Sequence, residues 1–258
     1  MTTASGPTDA RPLAVRVADD LRMRIETSDL AAGQQLPTLD AIAEQYRSSL
    51  AVARKAMELL RAQGLVVTRQ GKGTFVRGRA RTRRHGIDRY SRSRWRSGTP
   101  ILTGEAEKQG YQADQVIREL AEVPAPGVVV DRLGIKPGEP VWVRRRTTRI
   151  DDRPNQLADS YYPLDVIEGT LIREENTGPG GGFARLEDAG HTLERICEEL
   201  SVRMPTPNEA MLLELPPGTP VVDLTRTTRD STGRAVEVML TVIAGDMATF
   251  YYDFPIPD

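Results

Sequence analysis

Six neighbouring side chains, Ser49, Leu50, Ala51, Arg54, Lys55 and Arg61, fall on the outer face of a stretch whose inner face carries Val52, Ala56 and Leu60 at four-residue spacing. Two turns of such a helix would present a hydroxyl, cations and small apolar groups together. That set suits phosphate contacts and hydrogen bonds to base edges in a major groove. Shortly after comes Gly71-Lys72-Gly73-Thr74, a lysine held between two glycines that allow the positive φ of a tight hairpin. A lysine at that tip would reach a phosphate or the minor groove.

The elements that must position these groups are legible around them. Leu13, Val17, Leu21 and Ile25 make one apolar stripe, which predicts a helix over Leu13 to Thr27. Thr38 is a candidate N-cap for a short helix, Leu39 to Tyr46, and Ser49 for a third helix running to Gln63, stopped by Gly64. Two short helices joined by a tight turn are a helix-turn-helix. Leu65 to Arg69 and Thr74 to Val76 then read as strand, glycine turn, strand. A small helical subdomain with a solvated basic face would share some of these features, but not the ordered run of three helices and a basic hairpin.

Composition narrows the function classes. The 258 residues suit two domains and carry a net charge of −1. The charge is split. Residues 1–96 hold 19 basic and 9 acidic side chains, and the rest of the chain has a net charge of −11. One half thus suits a polyanion and the other repels it. The first twelve residues lack the pattern of a signal peptide and read as a flexible tail, and no apolar run is long enough to span a bilayer, so a cytoplasmic protein without membrane contact is expected. A single cysteine, Cys197, and two histidines, His85 and His191, offer no metal-ligand cluster. No nucleophile triad and no phosphate loop with a lysine at the needed place is present, so neither a cofactor nor catalysis is expected.

Residues 13–76 resemble the winged helix-turn-helix of the GntR family of bacterial regulators. The resemblance rests on Gly33, Leu36-Pro37-Thr38, Ala43-Glu44, Ser49, Arg54, Leu60, Gly64-Leu65 and Gly71-Lys72-Gly73-Thr74-Phe75-Val76. It implies DNA contacts from Thr38, Ser49, Arg54 and Gly71 to Thr74, in an operator-binding regulator. Two departures stand out. Leu50 occupies the place of an arginine after the turn serine, and Arg47-Ser48 replaces Gly-Val before it. Leucine offers only apolar contact, for example to a thymine methyl.

Residues 78–96 read as an arginine-rich linker, because Arg77 to Arg96 holds nine arginines and no apolar period. It would either bind phosphates or serve as a solvated spacer. Beyond it, residues 97–258 read as an α+β domain. Strands are expected at Val116 to Glu122, Val141 to Ile150, His191 to Arg203, Val221 to Arg229 and Ala235 to Ala244. Short helices are expected at Val128 to Leu133, Phe183 to Gly190 and Thr206 to Glu214, with a loop over Thr177 to Gly182. Leu133 to Val141 and Leu213 to Val221 repeat one Pro-Gly pattern, and each copy ends in Arg-Thr-Thr-Arg, at Arg146 and Arg226. The constant offset of 80 residues points to a duplication, with a cleft between its halves as a natural ligand site.

This second region resembles the UTRA ligand-sensing domain of the HutC branch of the same family, whose fold is related to chorismate lyase. Pro140 to Arg149, Asp151 to Pro154, Ser160-Tyr161-Tyr162-Pro163, Gly233 to Glu237 and Asp246 carry the likeness. It implies a homodimer and a small-molecule effector, a sugar phosphate or a carboxylate, held at Arg146, Thr148, Ser160 and Glu237. Thr148 stands where a second arginine is usual, and Arg144, on the same side of the strand, could replace it. Arg146 would equally serve as an ion-pair partner of Glu237. The whole reads as a repressor whose operator affinity a metabolite changes. The alternatives are a non-catalytic interaction module, or a DNA binder that has lost base reading.

Overall fold

A computed structural model describes residues 9–77, 82–86, 88–98 and 101–256; most of the expected N-terminal tail lies outside them. The chain divides into two compact units, Met1–Arg79 with Pro216–Thr219, and Ala80–Leu215 with Pro220–Asp258.

The first unit runs α1 (Leu13–Glu26), α2 (Leu39–Gln45), α3 (Leu50–Ala62), β1 (Val66–Arg69) and β2 (Gly73–Val76). The apolar stripe of α1 packs on α3, and Leu21, Ile42 and Leu60 are wholly buried in one core. Thr38 and Ser49 cap α2 and α3, their hydroxyls accepting from the backbone N–H of Ala41 and Val52. Gly64 ends α3 in the left-handed conformation while the Leu65 N–H bonds the Leu60 carbonyl. In the turn between α2 and α3, Arg47 adopts φ 47°, a region that favours glycine.

The second unit is built on a six-stranded antiparallel sheet of order β4-β5-β6-β9-β8-β7. Its elements, in chain order, are β3 (Thr82–His85), α4 (Arg92–Arg96), α5 (Ile101–Glu107), β4 (Ala113–Pro124), α6 (Gly127–Leu133), β5 (Pro140–Ile150), β6 (Arg153–Pro163), α7 (Gly181–Asp188), β7 (Leu193–Arg203), α8 (Pro207–Leu212), β8 (Val221–Asp230), β9 (Ala235–Ala244) and β10 (Ala248–Tyr251). The duplication is real at this level. Helix, strand, helix, strand, strand occurs twice, and the two copies meet at β6 and β9 with mirrored strand order. A further strand at Arg153–Pro163 is one the sequence does not announce. It is buried on both faces, so the polar alternation of a half-exposed strand is missing.

The expected linker over 78–96 is corrected by the structure. Strand β3 pairs in parallel with β10, Arg84 and Arg89 are buried, and Trp95 packs edge-on against Phe183 at 5.3 Å inside a core cluster. Most of this stretch is therefore part of the second unit, which begins well before residue 97. Arginine stems and aromatic rings supply the packing that an apolar-period reading misses. Residues 78–81 and 87 lie outside the described residues.

The seam between the two repeats is closed by one buried acid. Glu237 on β9 accepts from Tyr162 Oη on β6 at 2.9 Å, from Arg226 Nη2 on β8 at 2.7 Å and from Thr228 Oγ1 at 3.1 Å. Burial alone would push the Glu237 carboxyl up, but the Arg226 guanidinium and these hydrogen bonds hold it below the ordinary carboxylate range. Its stabilisation is therefore complete above the unfolded-state value near 4.5 and is lost as pH falls through the lower folded value. Glu237→Ala leaves Arg226 buried without its carboxylate and is expected to cost roughly 3–5 kcal/mol in urea unfolding at neutral pH. A loss under about 1 kcal/mol would show that the seam does not depend on this acid. Arg47→Gly, by contrast, is expected to raise stability by up to about 1 kcal/mol, since glycine takes the positive φ without the Cβ clash; a lower Tm would contradict that reading of the turn.

Candidate functional sites

The candidate DNA face is built from the N-terminal ends of α2 and α3 and from the β1–β2 hairpin. Thr38, Ser49, Leu50, Arg54 and Lys55 are all exposed on it, with Leu50 at 47%. The hydroxyls of Thr38 and Ser49 accept from their own helices, which leaves their O–H groups free in direction to donate outward. Lys55 lies 3.3 Å from Glu58, a weak exposed pair that a phosphate would displace. At the hairpin tip Gly71 and Gly73 have φ of 71° and 108° and Lys72 is exposed. Gln35 donates to the Lys72 carbonyl at 3.0 Å; a Cβ at Gly73 would stand 2.5 Å from that amide and displace it, and the φ of 108° is what favours glycine there. Thr74 is partly buried, its hydroxyl 3.2 Å from Thr68. Arg47 is a residue of this face that the sequence reading did not select; it is exposed at the helix-turn-helix corner.

The second site is a cavity of about 290 Å³ on one face of the six-stranded sheet, lined from both repeats. Five arginines reach it, Arg84, Arg89, Arg144, Arg146 and Arg226, against the two glutamates Glu175 and Glu237. One wall is the glycine-rich segment leading into α7, where Gly178, Gly180 and Gly181 have φ of 75°, 78° and 70°. No side chain fits at Gly180, where a Cβ would lie 2.3 Å from the Trp95 carbonyl oxygen, and the bare backbone leaves the start of α7 open to the cavity. Arginine forks and backbone amides at a helix start are the donors an anion requires.

The expected effector residues divide within this geometry. Arg146 lines the cavity and donates from Nη2 to Ser160 Oγ at 2.6 Å. Ser160 lies wholly buried behind it. Glu237 takes Arg226 rather than Arg146 as its close ion-pair partner. Arg144 lines the cavity but spends its fork on the carbonyls of Ile172, Glu174 and Glu175. It anchors the 172–175 loop and has little left for a ligand. Thr148 does not line the cavity; it is buried, 3.4 Å from Gln115 Nε2 and 3.5 Å from Gln156 Nε2. Sequence reasoning missed Arg84, Arg89 and Arg226. The signal for Arg226 was present, because it is the repeat counterpart of Arg146.

Among the described residues no group of His, Cys, Asp and Glu could hold a metal ion, and no helix is long and apolar enough to cross a membrane.

Comparison with known proteins agrees with both units. Residues 13–76 match the model of bacterial regulatory proteins of the gntR family, and residues 108–249 match the UTRA domain. An HTH-type transcriptional regulator of Streptomyces coelicolor is 36% identical over 248 residues, covering 94% of this chain and 92% of that protein. The HTH-type transcriptional repressor NagR of Bacillus subtilis is 25% identical over 245 residues, covering 93% and 94%. A crystal structure described as a GntR-family transcriptional regulator superposes with a TM-score of 0.64 at 29% identity, covering 96% of this chain and 99% of that one. PhnF from Mycobacterium smegmatis shares the fold with a TM-score of 0.60 at 24% identity, covering 93% and 100%. With a winged helix-turn-helix ahead of an α+β domain of this topology, the chain belongs to the GntR family of transcriptional regulators and carries that family's DNA-binding domain and a UTRA domain.

Proposed function

We propose that this regulator is a homodimeric, cytoplasmic repressor of the HutC type whose operator affinity is set by a small anionic metabolite bound in the arginine-lined cavity. The observation that carries the reading is the cavity itself: five arginines and an open helix start around 290 Å³, on a chain whose other unit presents an exposed recognition helix. A sugar phosphate or a carboxylate matches those donors. Repressors among the relatives, NagR of Bacillus subtilis for one, support repression as the sign of regulation. Two copies would read two half-sites related by a dyad, each with Arg54 and Lys55 in a major groove and Lys72 on the backbone. The metabolite must bind one arrangement of the DNA-binding units better than another, and operator affinity then shifts by that difference.

The exposed Leu50 favours a second reading, in which base recognition is lost and only the charge binds. Fluorescence anisotropy on the DNA upstream of the regulator's own gene, with an unrelated duplex as competitor, separates the two. Binding that survives the competitor supports a specific regulator. Binding that the competitor removes, on this and on a genome-selected set of fragments, supports the charge-only reading. Arg54→Ala is expected to weaken operator binding by roughly 1–3 kcal/mol in that titration; unchanged affinity would remove Arg54 from base reading. Glucose 6-phosphate and citrate then serve as probes for release. Arg146→Met is expected to abolish release by whichever probe acts while leaving operator affinity unchanged, and release at wild-type concentrations would contradict the cavity assignment.

A further inference from the structure

In this domain Thr148 stands where the family resemblance calls for a second arginine, and Thr148 is packed behind the cavity wall. The cavity nevertheless holds a guanidinium to spare. Arg89, in the short 3-10 turn Asp88–Tyr90, is 3% exposed and lines the cavity. Its Nη2 lies 3.4 Å from Glu105, and its Nε and Nη1 are buried with no hydrogen-bond partner among the described residues. Buried donors left in that condition are costly, and an anion in the cavity would satisfy them. The buried Glu105 carboxylate, which also accepts from the His85 backbone N–H at 2.7 Å, takes up only the Nη2 end of this guanidinium. Arg84, on β3 in the same stretch, is packed close enough that burial and the Arg89 charge together pull its guanidinium down to about 10.

We propose that Arg89 is a direct contact of the anionic ligand and supplies, from the other side of the cavity, the second guanidinium that Thr148 does not. This rests on the reading of the cavity as an anion site. A consequence follows for regulation. Arg89 belongs to the stretch of chain that leads out of the DNA-binding domain, whereas Arg146 and Ser160 belong to the sheet. A ligand held by both would tie that stretch to the sheet.

Calorimetric titration of the full-length protein with inorganic phosphate, against chloride at matched ionic strength, tests this. The variants are Arg89→Met combined with Glu105→Gln, which removes the cation without leaving a buried carboxylate unpaired, and Arg89→Lys, which keeps the charge but not the fork. Circular dichroism in chloride shows that each is folded. The expected result is a phosphate Kd raised roughly tenfold or more in the double variant and partly restored in Arg89→Lys, as for a charge-assisted fork. If the wild type binds phosphate and Arg146→Met loses it while the double variant retains the wild-type Kd, the role of Arg89 is overturned and the anion site stands. If the wild type binds no phosphate, the anion reading and the role of Arg89 fall together. Should the double variant fail to fold, Arg89→Lys decides: an unchanged Kd in that folded variant would overturn the fork contact.

Discussion

Burying a guanidinium is unfavourable unless its charge and its donors are met, and the second unit buries four around one cavity, Arg84, Arg89, Arg144 and Arg226. The domain meets this constraint unevenly. Arg226 has Glu237, and its guanidinium also lies over the Phe183 ring at 4.8 Å. Arg144 is spent on three carbonyls. Arg84 donates to Gln156 Oε1 at 3.1 Å but lies 3.7 Å from its nearest acid, Glu198, and Arg89 lies 3.4 Å from Glu105; both keep unmatched donors. The surplus positive charge lies where the glycine-rich segment opens the start of α7. Packing elsewhere serves to hold that arrangement in place: Trp95 and Phe183 close one side, and the Tyr162–Glu237–Arg226 group ties the two repeats beneath it.

The duplicated sheet explains why the site draws on both halves. With β6 and β9 adjacent at the centre, a pseudo-twofold at their seam relates the two copies, β5 to β8 and β4 to β7, so each position has an equivalent in the other half. Arg146 and Arg226 are such equivalents, yet their roles have diverged. Arg226 became the partner of a buried acid, and Arg146 remained at the cavity wall with a serine behind it. Thr148 and Thr228 diverged likewise, the first toward glutamine side chains and the second toward Glu237.

Much of the fold was legible in the residues. The stripe Leu13, Val17, Leu21, Ile25, the caps Thr38 and Ser49 and the Gly71–Gly73 hairpin are local signals, and local signals suffice for a three-helix head with a wing. The Pro-Gly repeats located two strands and two helices of the second unit. Strand β6 was missed because burial on both faces erases alternation, and β10 because four residues carry little pattern. The stretch 82–96 was misread for a more instructive reason. Its arginines looked like a solvated or DNA-facing run, and they inflated the charge split between the two halves of the chain. Arg84 and Arg89 instead point inward, Arg92 and Arg96 meet Glu187, and Trp95 is core. Only tertiary partners distant in sequence, Glu105, Glu187 and Glu198, reveal that. The candidate effector site was correspondingly half visible: the family resemblance implied Arg146 and Ser160 and the repeat pointed to Arg226, whereas Arg84 and Arg89 needed the fold.

The most direct test of this account is hydrogen exchange on the full-length protein in inorganic phosphate and in chloride at matched ionic strength. An arginine cavity that requires an anion predicts slower exchange in phosphate at the cavity wall formed by 176–183 and in the stretch 82–98, with the far face of the sheet at α6 and α8 unchanged. Equal exchange in both salts across 82–98 and 176–183 would contradict it.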